Sequence, residues 1–197
     1  VVDAASGAQI AVVAGLGVAV SALALVPDTG VVWAAGVAGR ASDGEAYLLR
    51  CADHALCRKV PHGARLVHCA EVVSRRGRMC EVWLGTESGI EVWDAAGTAR
   101  LAALATHNQP VHSLCVLPEA VCGDQVWAGL GGTRVAIWQA AQRRCVGELA
   151  GYHADFVLCM APVVSGDTAS DHCDVWTGSA DYTVCVWRAW HVDSVAQ

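Results

Sequence analysis

The chain has 197 residues, of which 54% are hydrophobic and 16% are charged. This length suits one sizeable core or an array of small repeats, and the large apolar content excludes wholesale disorder. The formal net charge of −6 comes from 13 basic and 19 acidic residues. It argues against a nucleic-acid-binding protein, because attraction to phosphates requires a face rich in Lys and Arg.

The spacing of the cysteines and the distribution of apolar residues exclude further classes of protein. The ten cysteines include no CxxC pair, and this spacing is not typical of a small disulfide scaffold or a zinc site. We therefore expect reduced thiols in a cytoplasmic protein. The apolar run 4–27 contains Gly15 and Gly17 and has no basic residue before it, so we predict no transmembrane segment.

The predicted elements are short β-strands that recur along the chain. A partial copy, VVWAAGVAG, begins at Val31, and three fuller copies follow at EVWLGTESGIEVWD (81–94), QVWAGLGGTRVAIWQ (125–139) and DVWTGSADYTVCVWR (174–188). Their first tryptophans are 50, 44 and 49 residues apart, at Trp33, Trp83, Trp127 and Trp176. Alternating apolar, β-branched and aromatic residues predict strands, with a hairpin turn between the two tryptophan-bearing strands of each copy.

A second element precedes these copies. The stretches AVSALALVP (19–27), VHSLCVLP (111–118) and FVLCMAP (156–162) align on their prolines. With this strand before the tryptophan strands, and one such as 100–105 or 146–150 after them, each unit has four antiparallel strands. A unit so small cannot bury both faces alone, so it must stack against copies of itself.

Four-stranded units at this period predict an all-β fold, a β-propeller of about four blades. The segment GSADYTVCVWRA (178–189), with Gly151-Tyr152-His153 before it, resembles the WD-repeat family. We assign the blades to 16–63, 64–107, 108–153 and 154–197, with 1–15 as a closing strand or part of a preceding blade. Since this family usually has seven blades, we expect residues 1–197 to be a segment of a longer propeller.

In the last copy the resemblance implies a structural hydrogen-bond set. It would join His153, either Thr177 or Ser179, Asp181 and Trp187. A buried carboxylate and imidazole require such partners to offset the cost of desolvation. The two middle copies lack the turn aspartate, so we expect their blades to depend more on packing.

No residue pattern indicates catalysis. Aligned on the prolines, Cys115 and Cys159 take the place of Ala24, which predicts small buried strand residues and not reactive thiols. We therefore expect a protein that is not an enzyme and that carries no cofactor and no metal. One basic cluster, Arg75, Arg76 and Arg78, is expected to lie in a solvated loop, and a contact with a membrane surface is its alternative role.

The resemblance implies a non-catalytic protein–protein interaction scaffold that binds peptides or protein domains through its blade turns. One alternative is a regulatory or targeting module of a larger signalling enzyme, such as an inositol-phosphate phosphatase or a guanine-nucleotide exchange factor. Another is a phosphoinositide-binding propeller that uses the arginine cluster. The candidate partner contacts are Glu87, Asn108, Gln109, Tyr152, Asp155 and Asp181.

Overall fold

A computed structural model describes residues 11–39, 44–165 and 172–190. The strands of the first two sheets follow one another in the chain. Sheet 1 contains β1 (Val18–Val26), β2 (Val31–Ala38), β3 (Glu45–Arg50) and β4 (Leu56–Pro61). Sheet 2 contains β5 (Val67–Val73), β6 (Glu81–Thr86), β7 (Gly89–Asp94) and β8 (Arg100–Ala105).

The other two sheets repeat this plan, with a short helix inserted between the first two strands of sheet 3. Sheet 3 contains β9 (Val111–Val116), β10 (Gln125–Leu130), β11 (Val135–Gln139) and β12 (Arg144–Leu149), and the helix α1 (Glu119–Cys122) lies between β9 and β10 in the chain. Sheet 4 contains β13 (Val157–Ser165), β14 (His172–Ser179) and β15 (Val184–Arg188). All pairings within the four sheets are antiparallel.

The all-β prediction is confirmed, and each sheet lies within one of the four ranges assigned from the repeat. Sheet 4 has three strands among the described residues. Residues 1–10 of the predicted closing strand at 1–15 lie outside the described residues, and residues 11–15 form no strand. Val13, which is described, lines a cavity on sheet 1 with Leu23 and Val32, and so lies on the first sheet and not beside β15.

Three apolar cores lie between successive sheets, because each sheet presents an apolar face to the next. Trp33, Trp83 and Trp127 are fully buried in these cores. The first strands β1, β5, β9 and β13 contact one another in that order. The four sheets therefore form a row whose first strands lie side by side along one edge.

Pro162 does not end its strand, which corrects the alignment based on prolines. It lies inside β13 and pairs with Val175, which is tolerated because β13 is an edge strand of its sheet. The true register places Cys159 opposite Gly178, as Ser113 lies opposite Gly129. The position of Cys115, opposite Trp127, is held in β13 by Ala161, opposite Trp176. Cys159 does not share that position, and it is exposed whereas Cys115 is buried.

Candidate functional site

The loops of the array gather at two ends, and one end carries most of the predicted contacts. The start of the first strand of each sheet pairs with the end of the second strand, as Val67 does with Thr86. The loop that leads into the first strand therefore lies beside the turn between the second and third strands. We call this end the turn face. It contains residues 62–66, 87–88, 106–110, 131–134, 150–156 and 180–183.

A β-bulge recurs near the turn face on all four first strands. In each strand one residue is skipped in the pairing with the second strand, which redirects its side chain. The skipped residues are Ser21, His68, His112 and Leu158. All four line one open cavity of about 320 Å³ that the first strands share.

Three rings lie in a row beside this cavity, with His112 tilted by 57° against His68 and stacked at 25° on Phe156. We call this row the ring stack. The ring centres of His68 and His112 are 4.5 Å apart, and those of His112 and Phe156 are 5.0 Å apart. Phe156, in the loop before β13, is 43% exposed. Burial lowers the pKa of both His68 and His112, and the proximity of His112 lowers the pKa of His68 further. The stack therefore favours neutral imidazoles and presents an aromatic edge to solvent.

Hydrogen bonds between neighbouring first strands fix the bulges in place. Ser21 donates to the carbonyl of Val67. Cys69 Sγ is 3.7 Å from the carbonyl oxygen of Val111, and Ser113 Oγ is 3.0 Å from that of Val157. Each acceptor belongs to the first residue of the next first strand, so the sheets are joined at the bulges by a repeated contact.

In sheet 4 the structure brings the predicted hydrogen-bond set together. His153 Nε2 is 2.8 Å from Thr177 Oγ1, and Trp187 Nε1 donates to the same hydroxyl at 2.9 Å. His153 Nδ1 is 3.2 Å from Asp181 Oδ2. Every group is satisfied when hydrogen is assigned to Nδ1, which donates to Asp181 while Nε2 accepts from Thr177. Ser179 lies outside the set and donates to the Asp155 carbonyl.

Asp181 also holds the neighbouring backbone. Its carboxylate accepts from the Thr183 hydroxyl, from the Ala154 amide at 2.7 Å and from the Thr183 amide at 2.8 Å. These donors, led by the Thr183 hydroxyl, hold the pKa of Asp181 well below its ordinary value. The ionised carboxylate thus joins the loop before β13 to the turn after β14.

The predicted partner contacts all lie at the turn face, but they differ in availability. Asn108, Tyr152 and Asp155 are exposed. Tyr152 is 69% exposed and places its ring edge-on to Trp187, with centres 4.9 Å apart. Tyr182, which the sequence did not single out, is 99% exposed. Tyr152 and Tyr182, which lie on the two segments joined by the hydrogen-bond set, leave an aromatic rim open to solvent.

Asp181 has the structural role described above, and two more of the predicted contacts are structural as well. Glu87 accepts from the amides of Arg65 and Leu66, at 2.8 and 3.0 Å, through its two carboxylate oxygens. Gln109 is half-buried and packs closely against Gly132. Both side chains order loops of the turn face and are poorly placed to meet a partner.

The basic cluster is divided by the fold, which corrects the expectation of a solvated loop for Arg75. Its side chain is 7% exposed and pairs with Glu81 of β6, while Asp124 lies 3.6 Å away. Arg143 donates to the same Glu81 oxygen at 3.0 Å. Sheets 2 and 3 are joined by these charges, and Arg76 and Arg78 alone remain exposed in the cluster.

Two other kinds of site are absent from the described part of the chain. No group of three or more His, Cys, Asp or Glu side chains is arranged to hold a metal ion there. In the same residues, no helix has the length and apolar character needed to cross a bilayer.

Sequence reasoning missed the ring stack and the bulges. The signal was present in Val67-His68-Cys69 and Val111-His112-Ser113, two matching triplets at the starts of β5 and β9. Comparison with known proteins adds no assignment. No protein-family model matches the chain, and no curated protein matches its sequence significantly.

Proposed function

We propose that this chain is a non-catalytic protein-interaction scaffold, built as part of a WD-like β-propeller, that binds a peptide or protein domain at its turn face. The observation that carries this proposal is the ring stack His68–His112–Phe156, which crosses three sheets beside a shared open cavity. Aromatic side chains on a rigid support are enriched at binding hot spots, since they add contact area at little entropic cost.

The rim of the turn face supports the same function. Tyr152 and Tyr182 are highly exposed aromatic side chains, and each stands on a segment fixed by the His153–Asp181 set. The lipid-surface alternative is less favoured, because Arg75 is buried and paired. Arg76 and Arg78 lie at the opposite end of the array, between β5 and β6.

Site-specific photo-crosslinking tests the proposal. A benzophenone amino acid would replace Phe156, 43% exposed at the turn face, or Met79, 78% exposed at the opposite end. In extracts of the expressing cells, we expect a discrete adduct from position 156 and none of the same mass from position 79. His112→Ala should weaken that adduct. Adducts that are equal at both positions, or unaffected by His112→Ala, would contradict binding at the turn face.

A further inference from the structure

One position on the first strands departs from the pattern of the array. The residue paired with the first tryptophan of its sheet is small in sheets 1, 3 and 4, where it is Ala24, Cys115 and Ala161. In β5 the same position holds Glu71, which pairs with Trp83. Ala24 and Cys115 are buried in the cores between sheets. A carboxylate therefore occupies a position at which the other units have a small residue.

The Glu71 carboxylate is half-buried and has no internal counter-charge. Cys69 and Val73, which alternate with it along β5, pack into the core between sheets 2 and 3, and residues two apart share one face of a strand. Burial raises the pKa of Glu71, and only the Val72 amide acts against this shift. No basic side chain of the described residues forms an ion pair with it. The cost of desolvating the charge is thus not offset within the described chain.

Glu71 lies next to the open cavity that the first strands share. Cys69 and Ala70, the two residues before it, line that cavity together with Leu114 of β9. Burial, with a smaller contribution from the Glu71 charge, raises the pKa of both Cys69 and Cys115 to about 12, so these neighbouring thiols are neutral near pH 7. The cavity lining contains no Asp, Glu, Lys or Arg. The Glu71 carboxylate therefore sets the sign of the charge beside the cavity.

These surroundings favour a cation as the partner of Glu71. A residue that breaks the pattern of its fold at a cost in stability is a candidate for function. A carboxylate forms its strongest hydrogen bonds with ammonium and guanidinium groups. The neutral rings of His68 and His112 do not repel a cation, and the net charge of −6 attracts basic segments to the molecule.

We propose that the cavity side of β5 at Glu71 binds one organic cation, the ammonium or guanidinium group of a lysine or arginine side chain on the partner that contacts the ring stack. The inference rests on the proposed function for the nature of this ligand, a peptide or protein segment. The ring stack provides contact area at the turn face. Glu71, three residues along β5 from His68 and so roughly 10 Å away, selects a basic side chain.

Small cations test the site without the partner. The probes are n-butylammonium and n-butylguanidinium, which carry the end groups of Lys and Arg, and n-butanol is the neutral control. In protein isotope-labelled at the Glu carboxyl carbon, we expect at least one cation to shift the NMR signal of Glu71 saturably, and butanol to leave it unchanged. Glu71→Gln identifies the signal by its loss. The signal of Glu119, an exposed residue of α1, should not saturate with either cation.

The crosslinking assay then tests the side chain of the partner. Glu71→Gln, and Glu71→Ala, which gives β5 the residue of sheets 1 and 4, should weaken the adduct formed from position 156 by about tenfold or more. Glu119→Gln removes the same charge from an exposed position and should leave the adduct unchanged. Because both Glu71 variants remove an uncompensated charge, we expect them to unfold at higher urea concentrations than the wild type.

The outcomes separate this site from the proposed function. A Glu71 signal that saturates with neither cation would overturn the inference, as would lower urea midpoints in both Glu71 variants, which would assign the carboxylate a structural role. An adduct that persists in Glu71→Gln would also contradict it. Absence of any adduct in the wild type contradicts the proposed function alone, and a saturable shift of the Glu71 signal then still supports a site for a basic side chain.

Discussion

The hydroxyl of Thr177 connects the tryptophan of β15 to the histidine of the preceding loop, and it is fully buried. Replacing it by Val leaves the Trp187 N–H and His153 Nε2 without partners. We expect Thr177→Val to lower the free energy of unfolding by about 1–3 kcal/mol, because buried polar groups would be left unsatisfied. Urea denaturation measures this. Thr29→Val, at an exposed residue with a long 3.5 Å hydrogen bond, should change stability little, and an equal loss in both variants would contradict the role of Thr177.

The residues of this set illustrate how far sequence reasoning extends at this scale. His153, Asp181 and Trp187 were identified from their spacing in the resemblance. The choice between Thr177 and Ser179 was left open because residues two apart point to the same face of a strand. Only the path of the loop before β13, which brings the Asp155 carbonyl to Ser179, separates the two hydroxyls.

At the scale of elements, the two histidines at the bulges make the stability of the folded chain depend on pH. The folded-state pKa values of His68 and His112 lie below the ordinary value, chiefly through burial, although Glu87 opposes the shift at His68. Such groups bind more protons in the unfolded chain, so their contribution to stability is present at neutral pH and is lost as the pH falls below about 6.5. We expect wild-type stability to fall more steeply between about pH 7 and pH 5 than that of His68→Gln/His112→Gln.

Urea midpoints measured across this pH range test the expectation. His107→Gln, in which a largely exposed side chain is replaced, serves as the matched control and should retain the wild-type slope. A double variant with the same slope as the wild type would show that neither ring of the stack titrates abnormally.

The strands themselves were largely predictable, but the bulges were not. The alternation of apolar, β-branched and aromatic residues, together with the turn residues, located the tryptophan-bearing strands, and β8 covers the predicted range 100–105. A bulge depends on the register between two strands, which local alternation in one strand does not reveal. The same lack of register information led the proline alignment to place Cys159 with Cys115.

At the scale of the whole molecule, the reactivity of each cysteine toward an alkylating reagent shows whether the surface around it is covered. Cys51, Cys57 and Cys159 are exposed, whereas Cys115, Cys122 and Cys173 are buried. Burial raises the pKa of Cys115 and of Cys122 to about 12, which reduces their thiolate fraction about a thousandfold near neutral pH. We expect a short pulse of iodoacetamide to alkylate the three exposed cysteines and to spare the four buried ones, which include Cys80.

Peptide mapping by mass spectrometry locates the labelled residues, and chain unfolded in urea provides the control in which all ten cysteines react. Labelling of Cys115 as fast as Cys57 in the folded chain would contradict the arrangement of the sheets.

The repeat predicted stacked units of short antiparallel strands, since stacking units share a pattern of residues. It did not reveal which charges join them. In the sequence, Arg75 is one of three basic residues expected in a loop. In the structure its burial depends on Glu81 of its own sheet and Asp124 of the next. Contacts between units involve residues far apart in sequence, and a single sequence provides no pattern that links such positions.

The consecutive order of strands within each sheet has a consequence for synthesis of the chain. Every strand pairs with its neighbour in sequence, so each sheet can form as soon as its own residues have left the ribosome, before the next has been translated. Trp33, however, finds its carbonyl acceptor only when Ala95 emerges. During that interval the newest sheet exposes its apolar face, so each folding step leaves a surface that the following step covers. The growing chain is therefore most exposed to chaperones and to aggregation at the boundary between one sheet and the next.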